Sequence, residues 1–382
     1  MPIIINKKEK RIIVAQVLPE INSGGVERGT LELGKYLSDH GHESIVISGG
    51  GRLESQLIRE GSRHILLCIG RKSLLTFFLI PKLISILLKN KIDIIHARSR
   101  MPAWICYFAL KFIAKRNRPI FITTIHGPYS INFYSSIMTK GERVFVVSKM
   151  IRKYALKNYN VTKNQLVLNY RGVNSKEFIF GYKPKILWIK KWFKEHPQTK
   201  DKIILTLPGR ITRWKGQEDF IKMISDLVSK NNKIHGLLVG EVKNGKEKYK
   251  SQLLKQIENL GIKDHITFTG NRSDLKEIMA MSHIVYSLSK EPEAFGRTTL
   301  ESIKLGVPII GYSHGGVGEQ LGEIFPEGLI PVNSHKKLVS LSEKWIKHSP
   351  LVRPTNKFSL RSMLNTTLKT YIDIFLIKND IQ

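Results

Sequence analysis

The 382-residue chain reads as an α/β protein built from two Rossmann-like, doubly wound domains. Three observations predict this. Short β-branched runs alternate with helix-forming stretches along most of the chain, as parallel sheets with crossover helices require. The alternation loosens once, in a lysine- and aromatic-rich stretch, and then resumes. The length exceeds what one ordinary core accommodates.

Strand-like runs fall at 11–19 (RIIVAQVLP), 42–49, 64–70, 92–99, 119–127 and 143–148. Between the first two lies a helix candidate, 26–41, with Val26, Leu31, Leu33 and Leu37 as apolar positions and Gly41 as its stop. The segment 73–88 (SLLTFFLIPKLISILL) is apolar but only sixteen residues long and broken by Pro81 and Lys82. A membrane span needs about 20 apolar residues, so this segment reads as an amphipathic or buried helix. After Arg171-Gly172-Val173 the pattern loosens, with Pro184 and Pro197 in a stretch placed as a connector, 179–201. Strand runs resume at 202–210, 233–241, 265–270, 283–289, 307–313 and 327–333, and 359–379 reads as a closing helix with Met363, Leu364, Leu368, Tyr371 and Phe375 as packing positions. The expected domains are therefore 1–178 and 202–358, with 359–382 as a terminal helical segment.

Composition narrows the partners. There are 62 basic and 31 acidic residues, a formal charge of +31, with 29 basic against 11 acidic in residues 1–180. Nucleic acid, an anionic membrane face or an anionic glycolipid would each suit that excess, and a lysine-rich codon bias would produce it without any partner. No helix-turn-helix, zinc finger or ribonucleoprotein aromatic motif supports nucleic acid. Cys68 and Cys106 both sit in apolar runs, which predicts buried free thiols in a reducing, cytoplasmic setting, and residues 1–19 show no small-residue signal cleavage site. No Asp-x-Asp pair and no Cys/His spacing suggests a metal or other cofactor.

The stretch 291–310 (EPEAFGRTTLESIKLGVPII) sets Glu293 and Glu301 on either side of Phe295-Gly296 at the start of a helix that Gly306 and Pro308 end. A helix start offers unpaired N–H groups and a positive dipole end to phosphate, while carboxylates accept sugar hydroxyls. Glutamates also occur at helix starts simply to complement the dipole. GRITRWKGQ, 209–217, puts Arg210 and Lys215 around a turn after a strand, a fork and a point charge suited to a diphosphate. Trp214 beside them is expected to pack. Ser23-Gly24-Gly25 follows the first strand and permits close backbone approach, as would any tight turn. His126 ends the fifth strand run, and Arg98 and Arg100 end the fourth, where an anionic acceptor or plain solvent would meet them.

Together EAFGRTTLE, GRITRWKGQ and Gly24-Gly25 resemble glycosyltransferase family 4, the retaining glycosyltransferases of GT-B architecture, over nearly the whole chain. HARSRMPAW (96–104), TIHGPY (124–129) and KGERVFVVS (140–148) look more narrowly like bacterial lipopolysaccharide core enzymes. The resemblance implies a C-terminal domain for a nucleotide diphosphate sugar, an N-terminal domain for the acceptor across a cleft, and a final helix returning to the N-terminal domain. It implies Glu301 on the ribose, Glu293 on the donor sugar, Phe295 and Gly296 near sugar and phosphates, Arg210 and Lys215 on the leaving diphosphate, and His126 near the anomeric centre. Catalytic roles thus fall to His126 and Glu293, donor binding also to Gly24 and Gly25, and acceptor contact to Arg98 and Arg100. The implied reaction is metal-independent hexosyl transfer to an anionic glycolipid at the inner leaflet of the cytoplasmic membrane, with the leaving phosphate taking the acceptor proton. An epimerase or hydrolase of the same architecture and a nucleic-acid-binding protein are the alternatives. Two departures from the family pattern are Tyr170 and Asn174 where proline and aspartate are usual, and Gly318 where proline is usual.

Overall fold

The computed structural model describes residues 11–22, 24–242, 245 and 247–380. They divide into two compact units, residues 1–170 with 361–382, and residues 171–360.

Unit 1 is a seven-stranded parallel sheet with strands β1 (Ile13–Val17), β2 (Glu43–Ser48), β3 (Arg63–Leu66), β4 (Ile94–Ala97), β5 (Ile120–Ile125), β6 (Arg143–Val146) and β7 (Leu166–Leu168), in the order β3-β2-β1-β4-β5-β6-β7. Unit 2 is a six-stranded parallel sheet with β8 (Ile203–Pro208), β9 (Ile234–Val239), β10 (Ile266–Gly270), β11 (Ile284–Ser287), β12 (Ile309–Tyr312) and β13 (Leu329–Ile330), in the order β10-β9-β8-β11-β12-β13. Each of the twelve expected strand runs overlaps a strand, β3 beginning one residue before its run, and β7 is an addition. The strand order reverses between β1 and β4 in one sheet and between β8 and β11 in the other. Such reversals open a crevice at the carboxyl ends of the strands, where ligands of doubly wound sheets bind.

Central strands such as β4, β5 and β9 are buried on both faces, which is why they read as continuous apolar runs rather than alternating ones. Packing beside the unit 1 sheet joins Leu18, Ile21, Leu31, Val46 and Leu57. In unit 2, Trp192, Ile204, Leu237, Val239 and Ile278 form a cluster that includes part of the expected connector. Residues 186–195 of that stretch are a helix whose Trp192 is 1% exposed and stacks on Trp188, with ring centroids 5.4 Å apart. Trp188 Nε1 donates to Asp274 Oδ2 at 2.8 Å. Its lysines face outward while its indoles pack into unit 2.

The closing helix, Leu360–Asp380, belongs mainly with unit 1. Tyr371 is fully buried and its hydroxyl meets His96 Nδ1 at 2.6 Å, while Asn169 Nδ2 donates to Thr367 Oγ1 at 2.8 Å. The segment 73–88 forms a 3-10 turn, Leu74–Leu79, followed by the helix Ile80–Lys89, with Pro81 in its first turn, where a missing N–H costs nothing. Among the described residues no helix is long and apolar enough to cross a membrane. Cys106 is buried, and burial pushes its thiol well above the ordinary range, but Cys68, in the loop after β3, points outward between the buried Leu67 and Ile69 and is exposed.

Candidate functional site

In unit 2 the reversal between β8 and β11 is where the predicted residues converge. After β8 the chain turns through Gly209 and Arg210 into a 3-10 turn, Arg213–Lys215, and enters the helix Gln217–Val228 at Gly216. Gly216 has φ 79°, and a Cβ there would collide with the Leu288 carbonyl just beyond β11. Only glycine permits that approach. The loop is stitched to the β11 side, since Lys290 N–H donates to the Trp214 carbonyl at 2.7 Å and Lys290 Nζ lies 3.1 Å from Asp219 Oδ1. Gln217 Nε2 closes the turn onto the Arg210 carbonyl at 3.0 Å.

This stitching brings Lys215 Nζ to 2.7 Å from Glu293 Oε1, with both side chains largely buried. The ammonium also lies 4.5 Å from the centroid of the Trp214 ring, a cation–π contact, so the tryptophan holds the lysine as well as packing. Arg210 is exposed at the same turn.

Glu293 is held from two further directions, one of them braced in turn by a histidine. The Ser289 hydroxyl donates to Glu293 Oε1. The Ser289 carbonyl is 2.6 Å from His314 Nε2, which fixes the tautomer with hydrogen on Nε2, since a carbonyl only accepts. Gly316 N–H donates to the Glu293 carbonyl at 2.7 Å. Gly315 and Gly316 start the helix Gly315–Ile324, and a side chain at Gly316 would drive into the Phe295 backbone. This glycine pair therefore supports the loop that carries Glu293.

Gly296 has φ 79° and caps the helix Arg297–Leu305, whose Leu300, Ile303 and Leu305 are buried as their spacing predicts. Phe295 is buried, and its carbonyl accepts from Gln320 Nε2. Glu301, only 6% exposed, accepts from Arg297 Nε at 2.8 Å. Two carboxylates, a lysine and the N-terminus of a nine-residue helix thus occupy one end of the unit 2 sheet. Among the described residues no three His, Cys, Asp or Glu side chains assemble into a metal-binding set.

The other predicted residues belong to unit 1. Gly24, φ 133°, caps the helix Gly25–Asp39 with no side-chain cap, and a Cβ on Gly25 would meet nothing within 4 Å, so the backbone there is open to approach. Ser23 lies outside the described residues. His126 follows β5, half-buried, and its backbone N–H donates to the Tyr129 hydroxyl at 3.2 Å. Arg100 stacks over Tyr129 and Tyr134, 4.9 and 5.3 Å from the ring centroids, and donates to Ser135 Oγ at 3.2 Å. Arg100 and His126 therefore share one tyrosine.

Arg98 does not join them. It is 4% exposed and donates to Gln16 Oε1 at 2.5 Å, while Gln16 Nε2 donates to the Thr30 carbonyl at 3.0 Å. Burial pulls its pKa down, and Tyr371, Glu32 and Glu27 pull it back up. Its position suits a brace between β1, β4 and the first helix rather than a contact for an acceptor. Ser289 and His314 are not legible from the sequence, because a serine four residues before a glutamate and a histidine before two glycines carry no general signal.

Two family models match the chain, Glycosyltransferase Family 4 over residues 23–177 and Glycosyl transferases group 1 over residues 189–359. A solved glycosyltransferase from Rickettsia africae ESF-5 is 31% identical, covers 95% of this chain and 98% of its own, and superposes with a TM-score of 0.83. The Anabaena HepE structure in complex with UDP and glucose shares the fold at 17% identity, with a TM-score of 0.79 over 94% of this chain and 99% of its own. The N-acetyl-alpha-D-glucosaminyl L-malate synthase of Bacillus anthracis is 26% identical over 79% of this chain and 78% of its own length. With two parallel α/β units and these matches, the chain belongs to the glycosyltransferases of GT-B fold, with a family 4 N-terminal region and a group 1 C-terminal region.

Proposed function

We propose that the enzyme moves a hexose-like sugar from a nucleoside diphosphate sugar, with retention at the anomeric carbon and without a required metal, to a hydroxyl of an anionic membrane glycolipid such as the lipopolysaccharide core. The observation that carries the donor half is the Lys215–Glu293 pair at the β8/β11 reversal, beside the helix that begins after Gly296. Lys215 has three N–H donors, of which the Glu293 contact uses one, so the others are available to a diphosphate. Glu293 keeps acceptor capacity for a sugar hydroxyl, and Glu301 takes the ribose hydroxyls after loosening its hold on Arg297. The UDP and glucose of HepE support that donor class.

In the transfer, the acceptor oxygen bonds to the anomeric carbon as the bond from that carbon to the diphosphate oxygen breaks, and the acceptor proton passes to the leaving phosphate. Lys215, Arg210 and the helix N-terminus offset the charge that develops on the diphosphate. His126 and Arg100, which share Tyr129 in unit 1, take by the family resemblance the roles of a catalytic residue and of a contact for an acidic group of the acceptor. The narrower lipopolysaccharide resemblance of residues 96–104, 124–129 and 140–148 supports the acceptor class, as does the basic N-terminal half. A second reading, a small hydroxy acid as acceptor, is favoured by the malate-glycosylating relative.

Product analysis after incubation with UDP-, GDP- and ADP-sugars, deacylated core oligosaccharides and L-malate tests this. Transfer to a core acceptor with the anomeric configuration kept, in the presence of chelator, is the expected result. Donor turnover that ignores every acceptor would replace it with a hydrolase or epimerase.

A further inference from the structure

Five apolar side chains of unit 1 stand out in water: Leu74 at 84%, Leu75 at 71%, Phe78 at 80%, Ile131 at 63% and Phe133 at 80% exposure. Single exposed apolar residues are ordinary, but these lie in sequence on segments that one chain of packed rings ties together. The chain runs from Phe77 to Phe108 at 5.7 Å, from Phe108 to Trp104 at 5.6 Å and from Trp104 to the exposed Phe133 at 5.0 Å between centroids, joining the 74–79 turn to the segment that holds Ile131 and Phe133. Trp104 and Phe108 lie four residues apart on the helix Arg100–Lys111, and Phe112, 74% exposed, extends that stripe. The tip is held in shape, because Ser73 caps the 3-10 turn by accepting from Leu75 N–H at 3.2 Å and the Thr76 hydroxyl donates to the Arg71 carbonyl at 2.9 Å.

The stretch of sequence that carries these elements is strongly basic. Residues 61–141 hold thirteen lysines and arginines and a single acidic residue, Asp93. Asp93 takes the Ile13 N–H at 2.8 Å and so is tied to the sheet. Arg71, Lys72 and Lys82, which flank the 3-10 turn in sequence, and Lys111, Lys115 and Arg116, at and after the end of the ring-bearing helix, are all exposed.

We infer that this face, Leu74, Leu75, Phe78, Ile131 and Phe133 within their basic surround, inserts into the headgroup region of an anionic bilayer. Apolar side chains that reach the acyl boundary while lysines and arginines meet anionic headgroups are the two forces of interfacial binding. A nucleic acid would leave the apolar tip unburied. A second copy of the same face would bring like charge against like charge. The inference deepens the glycolipid reading and rests on it for the purpose of docking, whereas the binding itself follows from the exposed side chains.

Flotation with vesicles that contain no glycolipid acceptor tests it, using phosphatidylcholine alone and phosphatidylcholine mixed with phosphatidylglycerol. The protein is expected to float with the anionic vesicles and not with the neutral ones. The double variant Leu75→Glu, Phe78→Glu, and separately Phe133→Ser with Lys111→Glu, should each weaken binding by about tenfold or more. These positions are exposed, so unchanged circular dichroism is expected and transfer to a deacylated acceptor should remain at wild-type rate. Binding unaffected by either variant, or equal flotation with neutral vesicles, would overturn the inference. Failure of transfer in the wild type with flotation intact would sink the glycolipid reading and leave the bilayer surface standing.

Discussion

The two units carry opposite charge management on the same fold. Unit 2 ties many of its charges into internal pairs, Lys215 with Glu293, Arg297 with Glu301, Lys290 with Asp219 and Arg272 with Asp274, and leaves Arg210 exposed beside the first. Unit 1 has 30 basic residues against 12 acidic ones, compared with 32 against 19 in unit 2, and it displays its excess on an exposed apolar and basic face. The difference separates a pocket from a surface. A small polyanion with hydroxyls needs a few charges fixed in place, and fixing them before binding reduces what the ligand must organise. An extended anionic interface needs many charges and little geometry, since each acts through a screened field.

The strongest way to break that comparison is Glu293→Gln, which keeps the side-chain shape and removes the charge. Transfer should fall by about 10²-fold or more while nucleoside diphosphate affinity stays within a few-fold, a separation that steady-state rates and calorimetry together would show. Next in size, Lys215→Met should weaken diphosphate binding by about ten- to a hundredfold, as loss of a charge-assisted contact does, and unchanged affinity by calorimetry would remove the lysine from the site. Ser289→Ala should lower kcat by about tenfold with diphosphate affinity preserved, because the hydroxyl only orients Glu293, and a loss of affinity instead would make Ser289 a ligand contact.

Unit 1 should respond differently. Arg98→Ala strands Gln16 in the interior and should cost about 1–3 kcal/mol in denaturant unfolding, with nucleotide binding to unit 2 intact. An effect of similar size, but confined to acid pH, concerns His235 in β9, whose pKa burial pulls from 6.5 to about 4. Its folded value lies below its unfolded one, so the unfolded state binds the extra proton. Stability is therefore full above about pH 6.5 and falls as pH drops toward about 4, by about 1–3 kcal/mol. His235→Gln should flatten the pH dependence of unfolding in that window.

Much of this contrast was legible in the sequence. Buried parallel strands read as β-branched runs, and Glu293, Glu301 and Lys215 stood out because a loop between a strand and a helix is where such groups do chemistry. β7 was missed because three residues, Leu166–Leu168, are too few to show a pattern. The stretch 179–201 looked like a connector because lysines and two prolines interrupt it, yet Trp188 and Trp192 pack inward from a helix that lies between those prolines. Arg98 and Arg100 looked equivalent at the end of β4, and only the packing sends one into the interior and the other over two tyrosines. Ser289 reaches Glu293 only through the folded shape of their loop, and His314 reaches Ser289 from 25 residues away, and neither contact leaves a pattern in the local sequence.

A structure of the protein with a nucleoside diphosphate sugar bound tests the division of labour most directly. The expected result places diphosphate oxygens within hydrogen-bond distance of Lys215 Nζ, ribose hydroxyls on Glu301 and a hexose hydroxyl on Glu293. A donor seated anywhere else, with the Lys215–Glu293 pair undisturbed and out of its reach, would contradict it.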